Sequence, residues 1–162
     1  MAQDVRGIAN YVLKVAHTER QSVSNLSLNK ILYFLHVAFL HEFNRPLISA
    51  KIEAWDHGPV FREVYHQFKT FGKKPIDCFA KKLDIMSGEY VTAQYSLEKV
   101  EEDFLYIHCA QLLKIPVGRL VDMSHVEDGP WSQARFGKGR INPGIEITDD
   151  LILAASEGQS RH

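Results

Sequence analysis

From Leu28 to Leu40 the chain is apolar almost all the way round a helical projection. Leu28, Ile31, Leu32, Leu35 and Phe39 fall on one side, and Tyr33, Phe34, Val37 and Leu40 on the other. A helix without a polar face has to be covered, so the remaining elements must pack around this one. The run is too short to span a bilayer and His36 interrupts it, which predicts a central buried helix, capped by Ser27 and broken at Arg45-Pro46.

The coverings can be read in order. Val5, Ile8, Ala9, Val12 and Ala16 recur at helical spacing with polar residues between them, predicting an amphipathic helix that ends near His17–Arg20. Leu47–Trp55 alternates and reads as a short extended segment. Asp56-His57-Gly58-Pro59 and Asp128-Gly129-Pro130 look like one device used twice, a turn that places proline at the first position of a helix. The first helix would carry Val60, Val64 and Phe68 and stop at Gly72. The second would run to about Phe136. Between them, Cys78–Ile85 and Glu89–Tyr95 flank Ser87-Gly88 as a small hairpin. Ser96 is placed to cap a helix whose apolar face is Leu97, Val100, Phe104, Ile107 and Gln111, and a short helix follows Pro116. Gly137–Gly144 is a loop, and Thr148-Asp149-Asp150 caps a last helix. The expected fold is mainly α: a single compact helical domain over residues 1–157 with a small hairpin component, and a frayed tail over 158–162.

Composition narrows the functions such a domain can serve. The 162 residues carry 19 Lys and Arg against 20 Asp and Glu, a formal charge of -1, so no overall field draws the chain to nucleic acid or anionic lipid. Cys78 and Cys109 fit no disulfide framework and Met1-Ala2-Gln3-Asp4 does not open a secretory signal, which predicts reduced thiols and a cytoplasmic protein. His36 and His41 lie five apart, on different sides of a helix, so no metal site is expected. Phosphate-binding, dinucleotide-binding and nucleophile-elbow motifs are absent from the sequence, and the expectation is no cofactor and no enzymatic activity. Two sharper alternatives stay open. His125 with Glu127 could serve a hydrolase, and Arg135, Lys138 and Arg140 could make a glycine-loop contact to nucleic acid. Trp55 and Trp131 each sit beside an acid-glycine-proline turn, where they either pack the turn onto the core, the preferred reading, or face a partner.

Two stretches carry a resemblance. Leu28-Asn29-Lys30-Ile31-Leu32-Tyr33-Phe34, Arg45-Pro46-Leu47 and Ile52-Glu53-Ala54-Trp55-Asp56-His57-Gly58-Pro59-Val60, with Val64-Tyr65 and Phe68-Lys69, resemble the signature of the Panacea domain. This is the family of SocA-like, often phage-associated, antitoxins. Ser124-His125-Val126-Glu127-Asp128-Gly129-Pro130-Trp131, with Ala134-Arg135, resembles its second motif. Leu35-His36-Val37 departs from it, since relatives often carry a small residue, glutamine and an aromatic there.

The resemblance implies a mainly helical fold and a protein that neutralises a toxin by direct contact, in some relatives as an adaptor to a ClpXP-type protease. Asn29, Lys30, Tyr33, Glu53, Trp55, Gly58, Pro59, Tyr65, His125, Gly129, Pro130 and Trp131 are the motif positions, expected to act chiefly as scaffold. Candidate contacts to the toxin are the surface Pro75–Tyr95, including Tyr90, the face around Trp55, His57, Phe61 and Arg62, and Arg135. No membrane partner is expected, and nucleic acid only through the basic loop.

Overall fold

The computed structural model describes the backbone of residues 1–136 and 145–160, with side chains up to residue 155. Among these residues there are seven helices: α1 (Val5–Thr18), α2 (Asn25–Phe43), α3 (Arg62–Gln67), α4 (Lys99–Leu113), α5 (Val117–Ser124), α6 (Pro130–Phe136) and α7 (Asp149–Ser160). Two antiparallel hairpins complete the fold, β1 (Glu53–Trp55) with β2 (Gly58–Val60) and β3 (Lys81–Leu83) with β4 (Tyr90–Thr92). The architecture is mainly α with a small β component, as the periodicities predict. Backbone in α7 continues through Ser160, past the start of the expected tail.

The apolar helix is the centre. Its Leu28, Leu32, Leu35 and Phe39 are wholly buried, each side chain worth roughly 1.5–3 kcal/mol relative to exposure. Helices α1, α3, α4, α5 and α7 and strand β2 all pack on α2. Its cap is Ser24, not Ser27: Ser24 accepts from the Ser27 N–H while the Ser27 hydroxyl accepts from the Ser24 N–H, a reciprocal capping box. Asn44, in the left-handed region at φ 53°, closes the other end. No helix among the described residues is long and apolar enough to cross a membrane.

Three local expectations are corrected. Gly58-Pro59 does not open a helix. It forms β2, and α3 starts only at Arg62. Proline is tolerated because its missing N–H costs nothing at the margin of so short a ladder. Helix α4 begins at Lys99 behind Glu98, not behind Ser96. It buries Leu105, Cys109 and Leu113, while Val100 and Ile107 point outward, 61% and 60% exposed. Apolar residues lie on both sides of this helix, and the choice is made by Glu101, drawn inward to pair with Arg45 beyond the end of α2. By contrast, Pro130 does open α6, Pro116 precedes α5, and the Thr148 hydroxyl accepts from the Leu151 N–H at the start of α7.

Candidate functional site

The β1–β2 hairpin is the meeting point of both motif segments. Trp55 pairs with Gly58 across a two-residue turn, Asp56-His57, and Gly58 takes φ 109°, a conformation that L side chains resist. Space forbids a side chain there as well. A Cβ on Gly58 would stand 2.5 Å from the Ser124 hydroxyl and 2.8 Å from Lys30 Cε. Glycine is therefore what allows α2, α5 and the hairpin to close on one another.

Side chains from α2 then pin the backbone that follows. Asn29 accepts from the Phe61 N–H at 2.9 Å and donates to the backbone and side-chain oxygens of Asn25, whose own amide donates to the Tyr65 carbonyl. Phe61 precedes α3 without a side-chain cap, so Asn29 satisfies a donor that would otherwise be buried and unpaired. Lys30 has no exposed surface and donates from Nζ to the Pro59 carbonyl at 2.7 Å. Burial pushes its ammonium down to about 7.

Helix α6 grips the same hairpin from the opposite end of the chain. The Trp131 indole donates to the Trp55 carbonyl at 2.7 Å, and Arg135 donates to the Ala54 carbonyl at 2.9 Å and pairs with Asp56. Residues 145–147 lie along the other edge of β1, with Ala54 and Ile145 and then Ile147 and Ile52 joined through their backbones. The His125 ring stacks on Trp131 with centroids 3.9 Å apart. Burial, followed by the nearby Lys30 charge, holds His125 below the usual histidine range.

The expected scaffold residues are thus brought together, while the expected contact residues are divided. Trp131 is buried. Trp55 is half-buried with its ring edge-on to Tyr65 at 4.9 Å, and Tyr33 is buried against Phe34. Gly129 and Pro130 form the turn into α6. His57 and Arg62 are exposed, and Arg62 makes a two-armed contact with the buried Glu53 carboxylate, which it holds below the ordinary range. Phe61 is corrected: it is wholly buried and belongs to the core rather than to an open face. Arg135 is corrected too, since its guanidinium is buried and spent on Ala54 and Asp56. Lys138 and Arg140 lie outside the described residues. Tyr90 is exposed on the second hairpin.

His125 and Glu127 do not form a catalytic pair. Glu127 is exposed, and the acid acting on His125 is Asp122. The described residues hold no cluster of three metal-ligating side chains. What sequence reasoning missed are buried polar clamps. His36 accepts from the Ile48 N–H through Nδ1 and reaches Asp149 through Nε2 at 2.7 Å, tying α2 to α7. Asn10 ties α1 to the second hairpin. For His36 the available signal was a polar residue at a position the apolar run should own, whereas Asn10 falls among the polar residues between the stripe positions of α1 and carries no such signal.

A family model described as "Antitoxin SocA-like, Panacea domain" matches residues 28–132, the span that holds both halves of this framework. Antitoxin SocA of Caulobacter vibrioides (strain NA1000 / CB15N) is 34% identical over 150 residues, 92% of this chain and 80% of that protein. No solved structure gives a significant match.

Proposed function

Because the chain belongs to the SocA-like antitoxin family with a Panacea domain, we propose that it is an antitoxin, a non-enzymatic cytoplasmic protein that neutralises a cognate toxin by binding it directly. The observation that carries this reading is the use made of the motif residues. Within the matched span, Asn29, Lys30 and Trp131 direct their polar atoms at backbone and Glu53 pairs with Arg62, so the matched motifs build a framework instead of a reactive pocket. Both cysteines are free thiols, in keeping with a reducing compartment. The nucleic-acid alternative loses its anchor with Arg135, which is occupied within the fold.

The test is co-expression with the product of the adjacent gene, scoring growth and then isolating the complex. Rescue together with a stable, salt-tolerant complex supports neutralisation by binding. Rescue in which the toxin disappears, and reappears when the ClpXP-type protease is deleted, supports delivery of the bound toxin to that protease. Absence of both rescue and complex would overturn the antitoxin reading.

A further inference from the structure

Strand β1 has two edges, and the chain fills both. One edge pairs with β2. Along the other, the Ala54 N–H donates to the Ile145 carbonyl and the Ile147 N–H to the Ile52 carbonyl, both at 2.8 Å, so that Glu146 stands opposite Glu53 in antiparallel register. Ile147 is buried and Glu146 exposed. Helix α7 follows at once, with Ile152 and Ala155 buried where it packs on α2 and α6. Its polar tie to α2 is His36. Because Nδ1 of that ring accepts from the Ile48 N–H, Nε2 carries the proton and donates it to Asp149, whose side chain is 41% exposed.

The framework holds β1 without help from this segment. Arg135 and Trp131 donate to the Ala54 and Trp55 carbonyls, Arg62 holds the Glu53 carboxylate, and β2 keeps its own pairing. If residues 145–155 lift away, the edge therefore stays formed, with the Ala54 N–H and the Ile52 carbonyl free to template another strand. The segment also lies beyond the matched family span, which ends at residue 132. Its fit is incomplete: a concavity of about 340 Å³ remains between α7 and the framework, walled by Tyr33, Phe34 and Val37, by Met123, and by Ile152 and Ala155. Few buried side chains, a half-exposed latch and an unfilled interface are the marks of a unit that opens before the core does.

Resting on the antitoxin reading, we propose that residues 145–155 are a strap occupying a strand-binding edge in cis, and that the toxin is received there by adding an extended segment to β1 in the strap's place. The strap itself shows what the edge accepts. It is a strand antiparallel to β1 with an apolar–polar–apolar run, here Ile145-Glu146-Ile147. Main-chain bonds supply the attraction and the alternating side chains the selection, while the closed strap keeps the edge from pairing indiscriminately.

Native-state hydrogen exchange of the full chain tests the strap. The Ala54 and Ile147 amides should exchange together, about tenfold faster or more than the Phe61 amide that Asn29 holds. Asp149→Ala should speed both and leave Phe61 as in the parent. Exchange at Ala54 and Ile147 no faster than at Phe61 overturns the strap. Locking tests the occupant. Glu53→Cys with Glu146→Cys, in a Cys78→Ser background, sets two thiols at directly opposed positions of an antiparallel pair, within bridging reach. Oxidation should weaken binding of the adjacent gene's product about tenfold or more, and reduction should restore it, a comparison made within one variant. Should that variant fail to fold, a synthetic peptide of residues 145–155 should compete with the same product for the Asp149→Ala chain. Equal affinity of the oxidised and reduced forms, or absence of competition, overturns the edge as the toxin's seat and leaves the antitoxin reading intact. A dimer that Asp149→Ala promotes and the lock abolishes overturns it in favour of a second copy. A parent chain that neither binds nor rescues overturns the antitoxin reading and the toxin as occupant, whatever the exchange rates.

Discussion

Lys30 makes the framework pH-dependent in a direction that can be worked out. An ammonium ordinarily titrates at 10.5, and here burial pushes it down to about 7. That difference is worth about 5 kcal/mol between the two protonation states. Between these values the unfolded chain binds the proton and the native chain sheds it, so stability must rise with pH across the interval and fall away toward neutrality. From pH 7 to pH 9 the gain is about 2 kcal/mol. Other groups constrain the window. His125, also held low by burial, loses stability only as pH falls below the histidine range, and Cys109, pushed up to about 12, opposes the rise only as pH passes 9. Lys30→Met keeps the stem and removes the charge, at the cost of leaving the Pro59 carbonyl without its donor, about 1–3 kcal/mol. At pH 7 the relief of the buried charge exceeds that loss, so the variant should be the more stable protein. By pH 9 the two should be nearly equal. Urea unfolding followed by circular dichroism at pH 7, 8 and 9 reads the comparison. A difference between parent and variant that stays constant across those pH values would refute the reasoning.

Four further outcomes follow from the geometry. Gly58→Ala should lose about 1–3 kcal/mol through its backbone conformation alone, with more from the clash against Ser124 and Lys30, seen as a lowered urea midpoint. Trp131→Ala should lose about 3–5 kcal/mol, and Trp55→Ala about half as much, because only the first ring is buried and Trp55 supplies its carbonyl regardless of side chain; thermal melts of the two should differ accordingly. Asn10→Ala should leave the Ala80 N–H and the Ala93 carbonyl at the base of the β3–β4 hairpin without partners, a loss on the order of 3 kcal/mol, with faster amide exchange at Ala80 before the rest of the core. A thiol reagent should modify exposed Cys78 in the native protein and reach buried Cys109 only on unfolding, resolved by peptide mass analysis.

The parts of the fold legible in the sequence are those in which one local signal has one consequence. An all-round apolar run can only be central, and α2 is. Ser87-Gly88, where the helical period is lost, reads as a hairpin turn, and Asp84 and Glu89 close it with a backbone bond at 2.8 Å. Legibility fails where one signal serves two structures. Gly-Pro after an acid starts α6 at Pro130 but forms a strand at Pro59. The difference lies outside the motif: at the first, Gln133 donates back to the Gly129 and Asp128 carbonyls from within the new helix, whereas at the second Lys30 reaches across from α2 to claim the Pro59 carbonyl. A single-residue period has no way to register a partner 29 positions away. The same holds for α4, where a carboxylate seeking Arg45 overrules the apolar count.

The candidate site divides along a related line. The structure gathers Lys30, Gly58, Pro59, Ser124 and Trp131 at one hairpin, residue types that fix turns and satisfy backbone. Their burial has a consequence for recognition. A framework whose polar atoms are spent internally offers a partner little specificity, so discrimination must come from surface that the framework holds up without using. Phe61, read as surface, turned out to be framework, because Asn29 needs its N–H inside. Ile85, Met86 and Tyr90 lie at the opposite extreme: removing them from water would benefit the protein, yet among the described residues they stand exposed, on a hairpin whose base is anchored by Asn10.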